Sequence, residues 1–134
     1  MFISFFTSPI RITLPRKTKK DKTYALNLNI YRNLNPILNG HIKIAYCEQM
    51  NRMHEVTSRV EIYPISVRYT LYYGSNREVD LSNICCVVDK FFSDWLVSRG
   101  IIKDDCHKHI QKVEYVWGGI DKNERVEICI SSIS

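Results

Sequence analysis

The segment from Asp80 to Gly100 constrains this chain more than any other, because it carries a complete helix signature between strand-like neighbours. Asp80 or Ser82 is suited to cap the amino end, where a short side-chain oxygen accepts a free backbone N–H, and Gly100 is a natural stop after Arg99. At about 100° per residue, Ile84, Val88, Phe91 and Trp95 share one arc and form a core face. Before this segment, Arg59 to Ile65 and Val67 to Tyr73 are rich in Val, Ile, Tyr and Thr, with Pro64 between them, and read as a bent strand or a strand pair. After it, Ile110 to Trp117 and Arg125 to Ile130 are strand candidates, joined by a Gly118 to Asn123 hairpin loop.

Further towards the amino terminus, Phe2 to Phe6 and Ile10 to Leu14 read as a strand pair or as one strand broken at Pro9. Tyr24 to Tyr31 alternates, with Leu26, Leu28 and Ile30 on one side, the period of a half-buried strand or extended segment. From Ile37 to about Val56 apolar residues recur at helical spacing, and Asn35-Pro36 marks the start of that helix. The expected fold is α+β, one small domain over residues 1–134, with a mixed or antiparallel sheet packed against two main helices. A chain of 134 residues, 45% hydrophobic, suffices for one real core and is too short for two.

The formal charge of +5 fits a polyanionic partner. Much of it lies in Arg16, Lys17, Lys19, Lys20 and Lys22, a run too polar for a core, which reads either as a solvated loop or as an arm that contacts phosphates. Five cysteines, two of them adjacent and none in a CxxC pair, argue against a disulfide framework and for a reducing, cytoplasmic setting. The apolar start, Met1 to Thr7, is short, lacks a basic leader and runs into Pro9, so neither a secretion signal nor a membrane span is expected.

Against this basic background an acidic cluster surrounds the Asp80–Arg99 helix. Asn83, Lys90 and Asp94 share a narrow arc beside the core face, Asp80 stands at the helix start, and Asp104-Asp105 follow Gly100 in a short extended turn. Carboxylates that hold a hard cation, with a lysine to offset charge on a phosphate, are the inventory of a divalent-metal phosphodiesterase site. Asp80, Asp94, Asp104 and Asp105 are the candidate ligands. Adjacent residues in an extended segment point to opposite sides, which favours Asp105 over Asp104. Asp89 falls well away from the Asn83–Lys90–Asp94 stripe and is set aside.

The same segment resembles the RusA-type Holliday-junction resolvases, whose pattern is Asp-x-Asp-Asn at a strand-to-helix junction, a lysine on the helix and a later Asp-Asp. Lys90-x3-Asp94-Trp95-Leu96, Gly100 and Asp104-Asp105 follow its forward spacing, and Ile10-x-Ile12-Thr13-Leu14-Pro15 and Asn29-Ile30-Tyr31-Arg32 resemble its amino-terminal part. Two departures stand out. Ser82 replaces the second aspartate, and the lysine counted forward from Asn83 falls on Cys86; Lys90 restores it with an insertion of about one helical turn. Asp80-x-x-Asn83 followed by Asp89-Lys90-Phe91-Phe92-x-Asp94 resembles bacteriophage proteins of this type.

The resemblance implies a homodimer that binds branched DNA, four-way junctions above all, and makes paired nicks with Mg²⁺ or Mn²⁺. It implies no small-molecule cofactor and no membrane. Asp80, Asp105 and Asp94 would bind metal, Lys90 would stabilise the transition state, and Asn83 completes the catalytic set, while Arg11 and the 16–22 run would follow phosphates. Tyr72, Tyr73, Trp95 and Trp117 read as core or dimer packing before base stacking. Two rivals remain at this level. The loss at Ser82 fits a resolvase fold that binds branched DNA or a partner without cutting, and Cys85, Cys86, Cys106, His107 and His109 form an irregular zinc-ligand set.

Overall fold

The computed structural model describes residues 1–55 and 57–133. Along the chain run β1 (Phe2–Ser8), β2 (Arg11–Leu14), β3 (Lys22–Ala25), α1 (Leu28–Asn33), α2 (Pro36–Met53), β4 (Ile65–Tyr73), α3 (Leu81–Ser98), β5 (Ile110–Ile120) and β6 (Arg125–Ser132). Four strands form a mixed sheet in the order β1-β6-β4-β5, and β2 and β3 form a separate antiparallel pair. β6 is antiparallel to both neighbours, whereas β4 and β5 are parallel and joined through α3. The expected α+β class, a mixed sheet against two main helices, is what the chain adopts. Among the described residues no helix is long and apolar enough to cross a membrane.

β4 organises the sheet because its alternate residues, Ile65, Val67, Tyr69 and Leu71, are all buried, and Val126, Ile128 and Ile130 of β6 continue that face. α3 covers it. Asp80 caps the helix by accepting from the Ser82 N–H, and Gly100 takes a positive φ just beyond its end. The expected core face of Ile84, Val88, Phe91 and Trp95 is buried throughout. Phe92 meets Phe6 of β1 and Tyr69 of β4 edge-on, while Phe91 meets Tyr46 of α2, so adjacent residues of one helix pack against the sheet and the second helix. Each such aromatic stabilises by about 1.5–3 kcal/mol through burial.

α2 starts where the sequence places it. The Asn35 side chain accepts the Leu38 N–H at 2.8 Å and Pro36 opens the first turn. Its inward residues Ile42, Tyr46 and Met50 are spaced by four, and Tyr46 reaches Ser8 of β1 with a buried 2.7 Å hydrogen bond. The helix ends at Met53; the expected end near Val56 lies outside the described residues.

Four local expectations are settled differently or resolved. β1 and β2 are two strands in two sheets, so Pro9 marks a change of sheet. The alternating run 24–31 is not one strand: Asn27 accepts the Ile30 N–H at 2.9 Å and turns the chain into α1, and a strand period continued by coincidence into the helix. Residues 59–64 are not strand, and Tyr63-Pro64 is a cis peptide immediately before β4. Most consequentially, β5 and β6 are not a hairpin. β4 lies between them, and the 121–124 connection passes its end, where the Asp121 N–H donates to the Tyr73 carbonyl and Glu124 accepts the Gly74 N–H.

Candidate metal and nucleic-acid site

The acidic residues around α3 separate into two clefts. One, of about 370 Å³, lies at the amino end of the helix and is lined by Asp80, Asn83, Arg11, Arg77, Asn29 and Tyr73 among others. The other, of about 390 Å³, opens between α3 and β5 and gathers Asp89, Lys90, Ser93, Asp94, Asp105 and Tyr115. Lys90, Asp94 and Asp105 therefore line one cleft, which Asp80 and Asn83 do not, and the Asp89, Asp94 and Asp105 carboxylates do not all lie within 4.8 Å of one another. Seven residues of helix are about 10 Å of axis, so Asn83 and Lys90 share an arc without sharing a site.

At the helix start the polar groups are engaged in holding the backbone. Asp80 Oδ1 accepts both the Ser82 N–H at 3.1 Å and the Ser82 hydroxyl at 2.9 Å. Asn83 Oδ1 accepts the Leu28 N–H at 3.2 Å and so ties α3 to the first turn of α1. Arg11 donates to Glu124 at 3.0 Å, which lowers the Glu124 pKa and raises that of Arg11.

The α3–β5 cleft is built around the residue the sequence reading set aside. Asp89 accepts three hydroxyls: Tyr69 at 2.8 Å and Ser93 at 3.1 Å on Oδ1, and Tyr115 at 2.9 Å on Oδ2. Burial, reinforced by the Asp89 charge, holds the Tyr69 and Tyr115 hydroxyls well above the ordinary tyrosine pKa, so both remain donors. Asp89 lies about 120° from the Asn83–Lys90–Asp94 stripe, but Cys86 and Ser93 bridge the arc between, and the cleft takes in the whole sector. The signal in the sequence was that small polar pair together with tyrosines on strand positions; its meaning depends on which strands flank the helix.

Asp94 is paired with Lys43 of α2 at 2.8 Å, an interaction that raises the Lys43 pKa, and Lys90 is exposed at the cleft mouth. Asp105 lines the cleft from the loop after α3, while Asp104 accepts the Asp105 N–H at 2.8 Å and lies with Cys106 and His109 instead. Of the irregular zinc set, only Cys106 and His109 belong to a group of three metal-ligating side chains among the described residues, and Asp104 supplies the third.

The basic run forms the exposed connection between β2 and β3. Lys17, Lys19, Lys20 and Lys22 are exposed, and Arg16 Nε donates to the Lys20 carbonyl at 2.7 Å. Among the aromatics, Trp95 is buried and donates to Asn51 at 2.8 Å, Tyr72 and Tyr73 are half-buried, and Trp117 is exposed on β5.

No protein-family profile matches this chain, and no curated protein matches it. The chemistry available to the α3–β5 cleft is that of three carboxylates and an amine at one open surface. The Cys86 thiol also lines the cleft; the cleft's carboxylate oxygens suit a hard divalent cation, and an ammonium beside them suits a phosphate.

Proposed function

We propose that this chain is a divalent-metal-dependent endodeoxyribonuclease acting on branched DNA, with four-way junctions as its principal substrate. The observation that carries the reading is the cleft itself: Asp89, Asp94 and Asp105 around one opening with Lys90 at its mouth. The resemblance of residues 80–105 to RusA-type resolvases supports the same chemistry. Asp89 and Asp105 would hold Mg²⁺ or Mn²⁺ with Asp94 beside them, which extends the expected ligand set to Asp89 and leaves Asp80 as a helix cap. Asp89 keeps one position to offer an ion, since a carboxylate has about four lone-pair directions and three hydroxyls occupy three of them. A bound ion would supply Lewis-acid activation of the phosphodiester and of water.

The chain's own residues would do the rest. Tyr69, Tyr115 and Ser93 fix the Asp89 carboxylate so that no reorganisation is needed on binding. Lys90 would offset charge on the attacked phosphate. The exposed 16–22 loop would follow phosphates through charge, with strong salt dependence. A two-fold dimer would match the two-fold axis of a junction and allow paired cuts.

A second reading, a junction-binding protein that does not cut, is favoured by one observation. Ser82 stands where the resolvase pattern has an aspartate, and Asp80 is committed to capping it. The experiment that separates them is incubation with a labelled four-way junction and a matched duplex, with Mg²⁺, with Mn²⁺ and with chelator. Symmetric nicks on the junction that vanish with chelator are expected. Tight junction binding with no product under either metal selects the second reading.

A further inference from the structure

Three side chains of different chemistry converge on the turn after α3 that also carries Asp105. A carboxylate oxygen of Asp104, the Sγ of Cys106 and a ring nitrogen of His109 all lie within 4.8 Å of one another. Cys106 Sγ and His109 Nδ1 are 3.4 Å apart. Zinc–sulfur and zinc–nitrogen bonds of about 2.3 and 2.0 Å, at a tetrahedral angle, put two such donors about 3.5 Å apart. The pair already stands at ligating separation.

The turn is anchored before any ion arrives. The His109 and Ile110 N–H groups both donate to the Cys106 carbonyl, at 2.9 and 3.0 Å, which sets residues 106 and 109 on one side. The His109 carbonyl accepts the Ile65 N–H at 2.7 Å, and its ring lies edge-on to Tyr63, 4.8 Å between centroids. The Tyr63 hydroxyl in turn accepts the Lys103 N–H at 3.2 Å. Asp104 is exposed, so its side chain has room to close the remaining distance.

We propose that Asp104, Cys106 and His109 form a zinc site, with three protein ligands and a fourth position for water. A thiolate with an imidazole selects a borderline-soft ion; magnesium and manganese sites are built from oxygen. The site is therefore chemically distinct from the carboxylate cleft, and it does not depend on the nuclease reading. Its consequence is mechanical: an ion there clips the 104–109 turn, which also carries Asp105.

The test uses the full chain, stripped with chelator, kept reduced and titrated with Co²⁺ as a spectroscopic stand-in. One equivalent is expected to produce thiolate-to-metal charge-transfer absorption and tetrahedral ligand-field bands, both bleached by one equivalent of Zn²⁺. Cys106→Ser should abolish the charge-transfer band. Both it and His109→Gln should weaken zinc binding by more than the roughly 10–100-fold typical of losing an outer-shell partner. Cys86→Ser should leave the bands unchanged, and circular dichroism reports whether each variant folds. Without any variant, zinc should slow alkylation of Cys106, read by mass spectrometry of the wild type. Absence of the charge-transfer band in the wild type, its survival in Cys106→Ser, or alkylation indifferent to zinc overturns the proposal.

Discussion

Tyr69 and Tyr115 stand opposite each other in the register of the parallel strands β4 and β5, and their hydroxyls close on the two oxygens of one carboxylate. The rings meet nearly perpendicular, 5.7 Å between centroids. Asp89 is thereby the joint between a helix and the one parallel pair of the sheet, and several consequences follow from that position.

Removing the carboxylate strands a buried donor. Asp89→Ala leaves the Tyr69 hydroxyl, on a side chain only 1% exposed, without its acceptor, at a cost of about 1–3 kcal/mol. Tyr69→Phe made in the Asp89→Ala background should cost less than in the wild type, with a coupling of about 1 kcal/mol. Urea denaturation of the four proteins measures it, and strictly additive losses would show that the bond contributes nothing.

The same hydroxyls, together with the buried Tyr46 hydroxyl and Cys85 thiol, contribute to the alkaline limit. The unfolded chain releases its phenolic protons near pH 10.0, whereas the folded chain, with both pKa values raised, retains them. Above that pH the unfolded state binds fewer of these protons, so the stability these two hydroxyls contribute is complete below pH 10.0 and falls as pH climbs towards the raised values. Tyr69→Phe with Tyr115→Phe should flatten that decline in denaturation curves collected across the range, and an unchanged slope would refute the assignment.

Gly118 is required by what lies over it. A Cβ there would fall 2.7 Å from the Tyr72 ring and 2.8 Å from Thr70 Cγ2. Tyr72 has little freedom to withdraw, because the Arg125 guanidinium sits 4.1 Å from its ring centroid and is itself held by Asp121 and Glu127. Gly118→Ala should destabilise by about 1–3 kcal/mol through overpacking. Adding Thr70→Ser and Tyr72→Ala together should recover most of the interaction penalty in thermal melts; a Gly118→Ala protein that melts with the wild type would contradict the close approach.

On the proposed nuclease reading, nicking assays would locate the chemistry along α3. Asp105→Asn should abolish junction cleavage, and Lys90→Ala should slow it by about 10²–10³-fold, each with junction affinity retained. Asp80→Asn should cut at close to the wild-type rate, since asparagine caps a helix as well as aspartate does. Loss of cleavage in Asp80→Asn with normal folding would move the catalytic centre to the helix start.

What the sequence discloses here is what local periodicity controls. The core face of α3, its Asp80 cap and Gly100 stop, and the Asn35-Pro36 start of α2 are set by residues within a few positions of one another. The arrangement of β5 and β6 is not, because nothing in Gly118 to Asn123 records that β4 inserts between the strands it joins. Asp89 escaped for a related reason. A helical wheel compares residues on one helix, and Asp89 acquires its place from Tyr69 and Tyr115, whose strands are brought beneath it by long-range pairing. The split of Asp80 and Asn83 from Lys90 came from reading angle without axial distance.

The strand order has a consequence for how the molecule is made. Among the described residues β6 is the only strand that touches both β1 and β4; Phe2 pairs with Ser131 across nearly the whole chain, and Ile65 with Ser132 across half of it. During synthesis α2 and the β2–β3 pair can form as they emerge, but β1 has no neighbour in the sheet until residues 125–132 have left the ribosome. Closure of such distant contacts is slow, and the apolar face of β4 waits with one edge open in the meantime. Trimming residues from the carboxyl end would therefore cut through the middle of the sheet.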